Sequence, residues 1–224
     1  MKTDNAVNGN EQESIALGEQ EILAKAKEIR LARARKNAEE HAKLKATSAK
    51  IKLPDGKFST IVIDPPWNMQ KIQRDCRPNQ VGFDYPTMTE EELEVFPIPA
   101  MAADNCYLFL WTTHKHLPEA LRLAEKWGFK YVCMMVWHKN GGPQPFGLPQ
   151  YNCEFCLLCK KGNLQFTSTK AFPTCFNGAR REHSRKPDEF YDMIARVTPE
   201  PRIDVFSREK RNGFSQFGNE TDKY

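Results

Sequence analysis

The spacing of apolar residues changes character near Leu53. Before it, Ala recurs at positions 24, 26, 32, 34, 38, 42, 46 and 49, set among Lys, Arg, Glu and Leu. All are good helix formers, and neither Pro nor Gly intervenes from Glu19 to Leu53. Residues 14–50 therefore read as a helix. Its apolar stripe is thin, with Ile22, Ala26, Ile29 and little after, so the helix is expected to be solvated or partner-bound. Residues 1–13 hold Asn, Gln, Gly and acid and read as disordered.

Leu53-Pro54-Asp55-Gly56 reads as a turn, dividing an arm, 1–52, from a domain, 53–224. Beyond it, apolar runs at 58–63, 106–111, 129–137, 153–159 and 202–206 predict strands. Between them, 116–128 and 187–197 predict amphipathic helices. The first turns Leu117, Ala120, Leu121, Ala124 and Trp127 inward and is closed by Gly128; the second has Pro187 at its start. Continuous apolar strands flanked by such helices define an α/β fold whose sheet is covered on both faces.

Composition narrows the class. A chain of 224 residues with 40% apolar and 28% charged positions builds a real core under a polar surface. The run from Cys106 to Trp111 is far too short to span a bilayer, and the N-terminus lacks the apolar stretch of a signal peptide. Seven cysteines without a secretory signal favour a reducing, cytoplasmic setting over a disulfide scaffold. The net charge of +4 is mild, but residues 21–52 hold ten Lys/Arg against four Glu. The arm reads equally as a partner for a phosphate backbone and as a solvated helix with Glu/Lys pairs.

The sharpest chemistry is Asp64-Pro65-Pro66-Trp67, placed directly after the first predicted strand. In open α/β sheets ligands gather at the carboxyl ends of strands. Asp64 offers an acceptor there, the two prolines remove N–H donors and leave carbonyls, and Trp67 offers a flat apolar face. Acceptors beside an aromatic plate suit a planar group bearing an NH₂, such as the exocyclic amine of a nucleobase. The bland reading is a proline-stiffened turn with a buried Trp, and the residues alone leave both open.

Asp-Pro-Pro-Trp after an apolar strand resembles the catalytic tetrad of the MT-A70 family of N6-adenine methyltransferases. Four further blocks match that family in order: Tyr85-Pro86-Thr87-Met88, Trp137-His138-Lys139, His183-Ser184-Arg185-Lys186-Pro187-Asp188-Glu189, and Asp204-Val205-Phe206-Ser207-Arg208 leading to Phe217-Gly218-Asn219-Glu220. The resemblance covers about residues 55–222. It implies a Rossmann-like, S-adenosylmethionine-dependent methyltransferase fold with the tetrad first and the cofactor segment last, preceded by the basic helical arm.

By the same resemblance, Asp64 and the Pro65 carbonyl accept the adenine amine hydrogens, Pro66 shapes the turn and Trp67 stacks. Asp64, Lys186, Arg208, Asn219 and Glu220 are implied cofactor contacts, Asn219 and Glu220 toward ribose hydroxyls. Replacing Asp64 or Trp67 by Ala is expected to stop transfer and leave the fold intact. The loops 68–84 and 177–185 read as lids, with Arg180, Arg181 and Arg185 as phosphate contacts and Tyr85 lining the pocket. DNA is the implied substrate, RNA the close alternative, and an inactive nucleic-acid-binding partner the alternative of another class. A homodimer or heterodimer fits, and a bacterial member would associate with the nucleoid. No metal is expected: Cys153-x-x-Cys156-x-x-Cys159 lies on an apolar strand that points its cysteines to opposite faces, and His114-x-His116 reads as local capping or surface.

Overall fold

The computed structural model describes residues 53–68, 87–142, 147, 149–178, 185–218 and 221, with nine positions between 24 and 39. The chain divides into two compact units, Met1–Ala49 and Lys50–Tyr224. In the first, all nine described positions are helical and exposed, Ile29 and Leu31 among them.

The second unit is built on a seven-stranded sheet. In chain order it contains β1 (Phe58–Ile63), α1 (Glu90–Glu94), α2 (Ile98–Met101), β2 (Ala102–Thr112), α3 (Leu117–Lys126), β3 (Lys130–His138), β4 (Cys153–Lys161), β5 (Cys175–Asn177), α4 (Asp188–Val197), β6 (Arg202–Val205) and β7 (Ser215–Phe217). The strand order is β5-β3-β4-β2-β1-β6-β7. β1 pairs parallel with β2 and β6, β6 with β7, and β3 with β5, while β4 runs antiparallel between β2 and β3. The expected α/β sheet is therefore present, with one reversed strand inside it, third of the seven.

Alternation along the strands sorts the core into two layers. Ile61, Ile63, Leu108, Leu110, Leu157 and Cys159 face α1, α2 and α3. Val62, Phe109, Trp111, Cys156, Leu158 and Trp137 face α4, which contributes Phe190, Met193 and Ile194. Cys156 and Cys159 thus sit in opposite layers, and among the described residues no three His, Cys, Asp or Glu side chains converge as a metal group would need. No described helix is long and apolar enough to cross a membrane.

Local chemistry sets the helix ends. Thr89 and Glu92 form a reciprocal capping box at the start of α1. After α3, Gly128 takes φ +82°, its N–H donates to Glu125 O, and the Phe129 N–H donates to Ala124 O. That pair of hydrogen bonds is the Schellman ending, where a left-handed residue favours Gly. One inward position needs correction: Leu121 is exposed, and Leu123 is the buried leucine of α3. At about 100° per residue, 123 lies next to 127 on the buried arc that runs through 120 to 124, whereas 121 lies beyond its edge on the far side of 124.

Candidate active site

The carboxyl ends of the parallel strands lie along one edge of the sheet, and Asp64 is the first residue past β1 there. The tetrad makes a tight bend. The Trp67 N–H donates to the Pro65 carbonyl at 2.8 Å, closing a three-residue turn around Pro66, whose ring presets φ. The Met88 N–H donates to the Pro66 carbonyl at 2.8 Å, and Trp67 and Met88 form a short parallel bridge. A carbonyl has two lone pairs, so these bonds leave each proline oxygen a second.

On one side of the bend is a line of charge. Lys186, from the segment preceding α4, donates from Nζ to Asp64 Oδ2 at 2.6 Å and lies 3.3 Å from Glu154 Oε2. Lys139, just past β3, closes on Glu154 Oε1. Four charges therefore alternate: Lys139, Glu154, Lys186, Asp64. Lys186 is only 8% exposed, its Nζ 5.2 Å from the centre of the Trp111 ring, while Asp64 and Glu154 keep about a quarter of their side-chain surface.

Electrostatics follow from that packing. Burial pushes the Asp64 carboxyl above its ordinary 3.8, and Lys186 opposes the rise. Burial pushes Glu154 the same way, but Lys186 and Lys139 prevail and hold it at about 2. Burial alone would lower the Lys186 ammonium, yet the two carboxylates beside it raise it. Lys186 thus stays charged and helps keep both carboxylates ionised.

On the other side of the bend is a packed aromatic. Trp67 is 6% exposed and belongs to the core under α1–α3. Its Nε1 donates to the Trp111 carbonyl at 3.1 Å. Its ring stacks on His116, centroids 5.3 Å apart and planes 12° from parallel. His116 occupies the N-cap position of α3, but its side chain caps nothing. Instead Nδ1 meets Glu119 Oε2 at 2.5 Å and the residue is buried, which corrects the surface or capping role read from the sequence.

Past β6 the backbone is drawn tight. Phe206 has φ +61°, uncommon for a bulky side chain, and its N–H donates to Phe217 O at 2.6 Å. A Cβ on Gly218 would lie 3.1 Å from Phe206 Cα. The tips of β6 and β7 are thereby drawn against each other. The Asp64–Lys186 pair offers one anion and one cation, charges that suit a ligand carrying both a cation and a carboxylate, as the methionine end of S-adenosylmethionine does.

Of the residues singled out from the sequence, the structure brings Asp64, Pro65, Pro66, Trp67 and Lys186 together. Arg208 follows β6 closely enough for its charge to act on Asp64. Arg185 turns its guanidinium onto Glu209, with Nε 2.8 Å from Oε2, and Arg211 joins the same carboxylate at 2.8 Å. A phosphate at Arg185 would compete with that clasp. Tyr85, Arg180, Arg181, Asn219, Glu220 and most of both lid segments lie outside the described residues. Sequence reasoning missed Glu154, hidden between the cysteines of β4, and His116. Lys139 stood inside a matched block but carried no role.

A seven-stranded α/β sheet with one reversed strand and an acidic turn at the tip of β1 has the architecture of a Rossmann-like methyltransferase. The MT-A70 family profile matches residues 58–220, and the chain belongs to that family of N6-adenine methyltransferases. It is 30% identical over 187 residues to the Type II methyltransferase M.MunI of Mycoplasma sp, spanning 75% of this chain and 79% of that one. It is 29% identical over 161 residues to the human N(6)-adenosine-methyltransferase catalytic subunit METTL3, covering 68% of this chain but 26% of that protein. A probable N(6)-adenosine-methyltransferase of rice is 29% identical over 175 residues, again with only 23% of its length covered.

Proposed function

We propose that this protein is an S-adenosylmethionine-dependent N6-adenine methyltransferase acting on DNA. The observation that carries the reading is Asp64 at the tip of β1, paired at 2.6 Å with the buried Lys186 and followed by two proline carbonyls.

The adenine amine is a poor nucleophile because its lone pair is delocalised into the ring. Asp64 accepts one of its hydrogens, and the free lone pair of the Pro65 carbonyl accepts the other. Holding both turns the nitrogen lone pair toward the electrophile, a gain in orientation rather than in covalent chemistry. S-adenosylmethionine, when bound, supplies a methyl group on a positively charged sulfur. As N6 is methylated it becomes cationic, and the Asp64 carboxylate takes the proton it sheds. Lys186 keeps Asp64 ionised for both tasks, and Lys186 and Arg208 offer positive charge to the methionine carboxylate or a ribose. Asn219 and Glu220 complete the cofactor contacts by their place in the matched motif. Tyr85, Arg180 and Arg181 are nucleic-acid contacts by their place in the sequence.

DNA is favoured because the match spans most of a Type II methyltransferase but only about a quarter of the adenosine enzymes. A duplex substrate would have its adenine flipped out, at a cost of roughly a few kcal/mol. The basic arm, 1–52, contributes phosphate contacts. Label transfer from S-adenosylmethionine to matched single- and double-stranded DNA and RNA, followed by nucleoside analysis, tests the reading. Label in N6-methyldeoxyadenosine supports it, and label in N6-methyladenosine replaces DNA by RNA. No label with cofactor bound points to a non-catalytic partner subunit. Deleting the arm should flatten the salt dependence of DNA binding; an unchanged slope removes the arm from the interface.

A further inference from the structure

We propose that His116 is a positioning residue for Trp67, fixing the plane of the indole and thereby the place of the base beside Asp64. The proposal rests on the reading of the chain as an adenine methyltransferase. Trp67 is packed in the core, and its Nε1 bond to the Trp111 carbonyl, 3.1 Å long, pins one edge of the indole. A second ring lying 12° from parallel at 5.3 Å restrains the tilt of the plane, because the stack is lost when either plane turns.

His116 is itself held. Its Nδ1 is bonded to Glu119 Oε2 at 2.5 Å, one turn along α3, and its backbone carbonyl accepts the Ala120 N–H at 2.9 Å. Its Nε2 is buried and has no hydrogen-bond partner among the described residues. An apolar side chain would fill the same space with no stranded nitrogen, so burial does not account for the imidazole. What imidazole adds is a flat ring whose orientation a hydrogen bond can set. Glu119 orients His116, and His116 orients Trp67.

The experiment is a double-substitution cycle with His116→Ala, the flat-ring variant His116→Phe and Trp67→Phe. His116→Ala is expected to raise the KM for nucleic acid about two- to ten-fold, the range for an aromatic pair, with cofactor affinity unchanged. His116→Phe should recover part of the loss, and the effect should shrink in the Trp67→Phe background. Equal losses toward nucleic acid and cofactor, or full additivity with Trp67→Phe, overturn the proposal. Trp67 emission, taken as the difference between proteins with and without Trp67→Phe, is read in the same samples. It should change when His116 is removed, and unchanged emission overturns the proposal even if no nucleic acid is methylated. Absent methyl transfer with changed emission instead defeats the functional reading and leaves the His116–Trp67 coupling standing.

Discussion

Asp64 and Trp67 belong to one four-residue bend but to two environments. Asp64 keeps a quarter of its side chain in contact with solvent and ends a line of alternating charges. Trp67 is 6% exposed, hydrogen-bonded and stacked within the layer under α1–α3. The turn around Pro66 sends the two side chains apart. The contrast teaches that a contiguous motif can divide its labour: one end supplies a tunable acceptor, the other ties that acceptor to the core.

The contrast can be broken by exchanging which property each end controls. Trp67→Ala should give the largest loss of stability, about 3–5 kcal/mol, because it empties a buried aromatic site. Denaturant unfolding measures it, and it revises the expectation that this substitution spares the fold. Asp64→Ala should do the reverse, with methyl transfer falling at least about a hundred-fold and the unfolding midpoint close to wild type. Equal effects of the two on stability would erase the distinction.

Lys186→Met sharpens the charged side. It leaves Asp64 and Glu154 without the cation between them and should cost about 2 kcal/mol, less than a fully buried pair because both carboxylates are partly solvated. It should also move the acid limb of the rate–pH profile upward, since Asp64 must be ionised to accept and Lys186 is what opposes its raised pKa.

Glu154 and Asp204 differ in sign. Glu154, held at about 2 against an ordinary 4.5, adds stability that is complete above about pH 4.5 and lost as pH falls toward 2. Asp204, buried behind the Tyr191 hydroxyl at 2.9 Å, is pushed up to about 7 from 3.8, so it takes stability away as pH rises between those values. Glu154→Gln should flatten the acid side of the stability–pH curve, and Asp204→Asn the slope from about 4 to 7. Unfolding titrations across pH separate them.

Much of this was legible along the chain. The strands at 58–63, 153–159 and 202–206 announce themselves as apolar runs, and the structure finds β1, β4 and β6 there. Gly128 signalled the end of α3 because a left-handed residue is needed there. The tetrad was legible because its chemistry is contiguous. Glu154 was not: it is 90 residues from Asp64 and reads as a lone acid in a cysteine-rich strand. His116 looked like a cap because that is the commoner use of a polar residue before a helix.

By itself the sequence determined the α/β class, the order of five strands and two helices, the bend at Pro65-Pro66 and the family, but not α1, α2, β5 or β7. Those depend on local spacing, backbone restriction and contiguous motifs. Only the tertiary structure decided that β4 runs backward between β2 and β3, which brings Glu154 to the edge where Lys139 and Lys186 meet it. Only it decided that Trp67 would lie stacked and buried while Asp64 stayed at the surface of the site. Charge pairs and ring stacks depend on distances through space, and spacing along a chain does not carry those until the sheet has closed.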